Sequence, residues 1–104
     1  WGIVKDIQKG DKAPAGPLST APSICISEEG ILHLAYFDWS KGEVRHSWRP
    51  EDKWLEETAA KAGNVAATSI QVDSRRVAIA FVDMVNRKVR LAVKDRGGKE
   101  SLKK

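Results

Sequence analysis

Apolar and polar positions alternate along this chain in short bursts, and the bursts come in two matching sets. Residues 31–38, ILHLAYFD, return as residues 77–83, VAIAFVD, with Asp38 standing 45 positions before Asp83. Upstream of each lies a second burst, PSICIS at 22–27 and TSIQVD at 68–73. Downstream lies a third, GEVRHSW at 42–48 and RKVRLAV at 87–93. One residue of slack between Ser27 and Leu32 also aligns Ile24 with Ile70. A repeat near this length describes architecture, because each unit carries an apolar face that it cannot bury alone.

Alternation over four to eight residues predicts strands. Residues 1–7 form a short strand candidate around Ile3 and Val4. Residues 9–21 hold two glycines and two prolines and read as loop. Strands are expected at 23–27, 32–38, 43–48 and 54–59, with turns at 28–30, 40–42 and 49–53, Pro50 opening the last. Glu56, Glu57 and the alanines of 54–59 would equally suit a helix, but the segment's place in the repeat matches that of 1–7 and favours a strand. Gly63 and Asn64 break the chain, residues 60–67 read as loop, and strands at 69–73, 77–83 and 89–94 restart the cycle. In 32–38, Leu32, Leu34 and Tyr36 take one face while Ala35 and Phe37 take the other, so cover is expected on both sides.

The strand order is therefore d, then a-b-c-d, then a-b-c. Four short strands per unit at a constant offset are the sequence signature of propeller blades. A β-sandwich of seven or eight strands fits the length, but it needs no equivalent strands at a fixed spacing. The expectation is an all-β fold of two four-stranded antiparallel β-propeller blades per chain. Blade one spans 22–59, strands a–c of blade two span 68–95, and 96–104 form a polar tail. Blade two lacks a d strand, while residues 1–8 supply an unattached one, which is expected to complete blade two of a neighbouring copy. Propellers have roughly 4–8 blades, and the ring expected here is a cyclic homotrimer of six.

Composition narrows the partners. The chain has 104 residues, 41% hydrophobic and 31% charged, as one small globular domain would. No apolar run approaches the ~20 residues of a spanning helix, and no membrane partner is expected. The net charge of +4 comes from 18 basic and 14 acidic residues that are mostly interleaved, so nucleic acid is not the expected partner either. Cys25 is alone in the apolar run ICI, where it reads as a small buried hydrophobe. Nothing in the sequence assigns a compartment.

Candidate chemistry is sparse. His33 and His46 are the only histidines, and neither has a Cys, Asp or His at ligand spacing. Both read as packed or hydrogen-bonded strand residues, and neither a metal nor a cofactor is expected. Asp38 and Arg45 recur as Asp83 and Arg90, seven residues apart in each unit. A cross-strand pair worth roughly 0.2–1 kcal/mol is the expected reason, ahead of an acidic ring at one mouth of the propeller. Trp1, Trp48 and Trp54, with Tyr36 and Phe81, read as packing residues. Trp39 differs, because it sits in the b–c turn between Asp38 and Ser40, where stacking on a sugar or docking a partner would suit it, and folding back onto the next blade would suit it equally. In an antiparallel blade the b–c and d–a loops share an end, so residues 39–41, 9–21, 60–67 and 84–87 gather on one rim. The ligand-binding candidates are Trp39, Asp38, Asp83, Asn86 and Arg87; no residue is a catalytic candidate.

The run PSICISEEGILHLAYFDWSKGEVRHSWRPEDKW resembles the blade repeat of bacterial propellers of the sialidase-like, BNR-repeat-like type. In the first unit Ser23, Ile24, Ile26, Gly30, His33, Leu34, Ala35, Tyr36, Phe37, Asp38, Gly42, Val44, His46 and Trp54 fit that repeat. The second unit keeps Ser69, Ile70, Val72, Asp73, Ile79, Ala80, Phe81 and Asp83, with Ala78 where the repeat has His. The cadence is also similar to that of two-blade fucose lectins that trimerise into six blades, whose sugar-binding arginine and glutamate fall at Ala35 and His46 here. The resemblance implies fold and assembly but no catalysis, since two blades cannot supply a sialidase's arginine cluster, tyrosine nucleophile and acid aspartate. The expected function is a non-catalytic, oligomeric propeller module for binding or assembly, with a lectin-like, glycan-binding role as its first specific form. A protein–protein scaffold or a piece of a larger propeller is the alternative, followed by part of a sialidase-like glycosidase.

Overall fold

The computed structural model describes residues 19–96. The expected closing strand at 1–8, its Trp1 and residues 97–104 of the polar tail lie outside the described residues. Seven strands follow in order: β1 (Ser19–Ile26), β2 (Leu32–Asp38), β3 (Glu43–Arg49), β4 (Leu55–Lys61), β5 (Val65–Val72), β6 (Arg76–Asp83) and β7 (Lys88–Asp95). They form two antiparallel sheets, β1-β2-β3-β4 and β5-β6-β7, and the described residues contain no helix. The segment expected at 54–59, compatible with helix by composition, is strand over Leu55–Lys61, because Glu56 and Glu57 pair with Ser47 and His46 across a hairpin.

Two strands start earlier than expected, and residues 9–18 of the loop before the first lie outside the described residues. β1 starts at Ser19 and takes Ser19, Thr20 and Ala21 from the loop expected at 9–21, and β5 starts at Val65 where residues 60–67 were expected to be irregular. The physical reason is a bulge near the start of each strand, between Thr20 and Ser23 and between Val65 and Thr68. A bulge leaves a residue unpaired, which lets Pro22 lie in an edge strand and Ala21 adopt a φ of 53°.

The repeat is visible in the pairing register. Ser23 faces Ala35 and Ile24 faces Leu34 in the first sheet; Ser69 faces Ala80 and Ile70 faces Ile79 in the second. The sheets pack against each other with Ala35, Phe37 and Val44 on one side and Val65, Ile70, Val77, Ile79 and Phe81 on the other. Burying each of the larger side chains contributes on the order of 1.5–3 kcal/mol. A short polar tie crosses the same interface: Thr68 donates to the Ala21 carbonyl (2.7 Å) and accepts from the Ser23 hydroxyl (2.8 Å).

The two packed faces are not equivalent. Phe37 of the inner face of the first sheet corresponds in the repeat to Val82, on the outer face of the second. Phe81 of the inner face of the second sheet corresponds to Tyr36, on the outer face of the first. The sheets are thus stacked front to back. The faces turned away from this interface carry Leu32, Leu34 and Tyr36 with Ile24 and Ile26 in the first sheet, where Leu34 and Tyr36 are buried and Ile24 and Ile26 exposed, and Ala78, Ala80 and Val82 with Val89, Leu91 and Val93 in the second. Ile26 is 67% exposed and Leu91 65%.

Candidate functional site

The linker Ala62–Asn64 closes one end of the molecule. Ala62 donates to the Gly42 carbonyl in the β2–β3 turn (3.0 Å), and Asn64 accepts from the Met84 amide in the β6–β7 turn (2.9 Å). Of the expected rim, the 39–41 turn, the 62–64 linker and the 84–87 turn meet at this end, while residues 9–18 lie outside the described residues; the candidate ligand residues are engaged within their own turns. One carboxylate oxygen of Asp38 accepts from the Ser40 hydroxyl (2.6 Å) and from the amides of Ser40 (2.9 Å) and Lys41 (3.3 Å). Asp83, fully buried, does the same for the amides of Val85 (3.1 Å) and Asn86 (3.0 Å). Its second oxygen takes the Asn86 side chain (2.9 Å) and Arg90 (3.0 Å). Those bonds, the Asn86 side chain first, hold the Asp83 carboxyl down at about 2. Arg87 is exposed at a φ of 57°. Trp39 is 46% exposed; its indole N–H donates to Thr20 Oγ1 (2.9 Å) and its ring meets Phe37 edge-on.

The expected Asp–Arg pairs divide. Arg90 reaches Asp83, whereas Arg45 binds Glu43 (3.1 Å), Glu56 (2.7 Å) and Thr58 (2.5 Å). β4 brings Glu56 and Thr58 beside Arg45 in the first sheet, and among the described residues β7 has no such neighbour. Tyr36 and Phe81 are buried as expected, and Trp48 and Trp54 are half-buried.

Another constellation lies at the opposite end, between the sheets. Alternation along β3 turns Val44, His46 and Trp48 inward, and the β2–β3 register sets His46 opposite Ala35 and Trp48 opposite His33. His33 and His46 are therefore diagonal neighbours on the inner face, 2.9 Å apart from Nδ1 to Nε2. Glu57 of β4 stands directly opposite His46 and takes its Nδ1 at 2.8 Å. From the other sheet, Lys94 of β7 donates to Glu57 at 2.5 Å. The His46 ring lies nearly parallel to that of His33, at 4° with centroids 5.1 Å apart, and stacks on Trp48 with centroids 4.7 Å apart. Ile31, Pro50, Val77 and Arg96 complete the walls of a pocket of about 160 Å3.

Proton order in this chain follows from its ends. Burial opposes the Glu57 charge, but hydrogen bonds from Lys94 and His46 outweigh it and keep the carboxyl below its ordinary value. An ionised Glu57 only accepts, so His46 Nδ1 carries a proton. Burial lowers the His46 pKa and keeps the ring neutral, which leaves Nε2 to accept from His33 Nδ1. His33 is itself held down to about 4, by burial first, then by repulsion from His46 whenever that ring is protonated, and by the Arg96 charge. Its Nε2 is then a bare acceptor, buried and without a hydrogen-bond partner among the described residues.

Sequence reasoning took both histidines as structural because it looked for partners at ligand spacing along the chain. The signal was cross-strand: a 46–57 pairing follows once 43–48 and 54–59 are read as a hairpin. Among the described residues no group of three or more His, Cys, Asp or Glu is arranged to hold a metal ion. No family model matches the chain, and no curated protein or solved structure matches it either.

Proposed function

We propose that this chain is a non-catalytic binding module that completes a β-propeller ring with further copies of itself, three chains giving six blades. The observation that carries this reading is the front-to-back stacking. The outward face of the first sheet corresponds in the repeat to the face that the second sheet already buries. The outward face of the second sheet corresponds to the one the first sheet buries. One more copy, placed by the same step, meets a surface of the kind the fold already packs. Terminal units of a repeat array need a partner or a polar cap, and Val89, Leu91 and Val93 are no cap.

A front-to-back interface between copies is heterologous, and rotation at each step closes it into a ring. The blade cadence shared with sialidase-like propellers and two-blade lectins supports the same reading, with residues 1–8 as the strand that would complete the second sheet of the next chain. The test is native mass. Three chains of 11.5 kDa are expected for the wild type. Leu91→Lys, which places a charge on the outward face, is expected to give single chains. A folded wild type that runs as one chain at micromolar concentration overturns the proposal.

A further inference from the structure

We infer that the end of the molecule closed by Ala62–Asn64 is a docking surface for an anionic lipid bilayer, entered by Trp39, Met84 and Val85. The inference rests on reading the chain as a binding module but not on ring closure, since one chain presents the whole surface. Among the described residues, the large apolar side chains exposed outside the strands are these three, and all lie in turns at this end. The exposed apolar residues of β1 and β7 lie on sheet faces, which the proposed ring covers; blades pack by their faces, so turn tips stay open. Exposed cations stand among the tips: Lys41, Arg87 and Lys88. The carboxylates nearby are already engaged, Asp38 and Asp83 by the amides of their own turns and Glu43 by Arg45 and Lys61. Turns at the opposite end mix both signs, with Glu28, Glu29, Glu51 and Asp52 beside Lys53 and Arg75. Arg87 also holds φ at 57° where the first turn has Gly42 at 65°. That conformation favours glycine, so an exposed arginine sits there against its backbone preference.

A bilayer fits this combination of groups. Apolar tips bury at the acyl boundary while cations around them meet anionic headgroups, and the two contributions add. With its N–H satisfied by Thr20, the Trp39 ring can enter an apolar layer without leaving a donor unmet. Each cation held near an anionic surface strengthens binding roughly fivefold. Surface docking needs no spanning segment, so the shortness of the apolar runs does not bear on it. A sugar is served less well, because Asp38, Asp83 and Asn86, which would orient it, are committed within their turns. A folded protein partner would have to match tips that come from two different sheets, whereas a fluid bilayer accepts them at any spacing.

The experiment is co-sedimentation of the full chain near pH 7 with sucrose-loaded vesicles, of phosphatidylcholine alone or with roughly one-third phosphatidylserine. Expected are saturable binding to the mixed vesicles and at least tenfold weaker binding to phosphatidylcholine alone. Met84→Ser with Val85→Ser removes apolar tips, and Lys41→Gln with Arg87→Gly removes two cations. Each pair of changes should weaken binding to the mixed vesicles at least tenfold. All four positions are exposed, and native mass on the same samples reports assembly separately, so loss of the ring and loss of docking are distinguishable. A wild type that ignores both vesicles overturns the inference, as does one that binds them equally. So does either double variant that binds as the wild type does; if it is the tip variant, the surface is a general polyanion site, as for nucleic acid or an acidic protein. Should a double variant not fold, brominated phosphatidylcholine in the mixed vesicles decides. It should quench the wild-type tryptophan fluorescence, and Trp39→Phe should remove most of that quenching. Quenching that is absent, or that Trp39→Phe leaves unchanged, means that this end does not enter the bilayer and overturns the inference.

Discussion

His33 and His46 hold protons less tightly in the folded chain than in the unfolded one, because burial penalises both imidazolium forms. Between the free value of about 6.5 and the His33 value of about 4, the unfolded chain binds more protons than the folded chain. Stability therefore rises with pH across that window and is lost as pH falls through it. At one unit per ~1.4 kcal/mol, His33 accounts for at most about 3 kcal/mol of that loss by pH 4. Glu57 and Asp83 act in the same direction lower down, since their depressed carboxyls add stability that is lost only as they protonate. The urea midpoint is expected to fall steadily from pH 7 to 4.5, and His33→Phe should flatten that slope. A wild-type midpoint that stays level over the interval would contradict the assigned neutrality of the pair.

At the scale of the elements, the repeated turn is the clearest unit of design. Asp38 and Asp83 each bind the amides two and three residues ahead, which is why an aspartate recurs at the end of β2 and β6. The turns then place a left-handed residue at equivalent positions, Gly42 with φ 65° and Arg87 with φ 57°. A Cβ on Gly42 would also lie 3.2 Å from the Ala62 carbonyl. Gly42→Ala is expected to cost about 1–2 kcal/mol, and Arg87→Gly to gain up to about 1 kcal/mol. Paired urea melts check both, and a loss on Arg87→Gly would mean that the side chain contributes more than its backbone costs. These turns also show what the sequence could reveal. Alternation located β2, β3, β6 and β7 within about one residue, because apolar or aromatic side chains recur at every second position along at least one face of each. It missed the first four residues of β1 and of β5, because Ala21–Pro22 and Ala66–Ala67 read as punctuation while the backbone ladder runs past them through a bulge. The site was legible in parts only: residue types showed two histidines and a glutamate, and the cross-strand register joined them.

For the whole molecule, the proposed ring makes a definite prediction about which surface meets which. A repeat stacked front to back predicts that the face carrying Ile26 on one copy meets the face carrying Leu91 on the next, never its own kind. Two disabled variants separate the possibilities. Ile26→Lys spoils the outward face of the first sheet and leaves that of the second intact; Leu91→Lys does the reverse. Both sites are well exposed within one chain, so neither change should unfold it. In a head-to-tail ring each variant alone has one sound face and nothing to pair it with, and each should run as a single chain. Mixed in equal amounts, the sound second-sheet face of Ile26→Lys finds the sound first-sheet face of Leu91→Lys. The pair then stops, because both remaining faces carry a lysine. Native mass spectrometry of the mixture should show a heterodimer and no larger species. If like faces met instead, one variant would remain assembled by itself and mixing would change nothing.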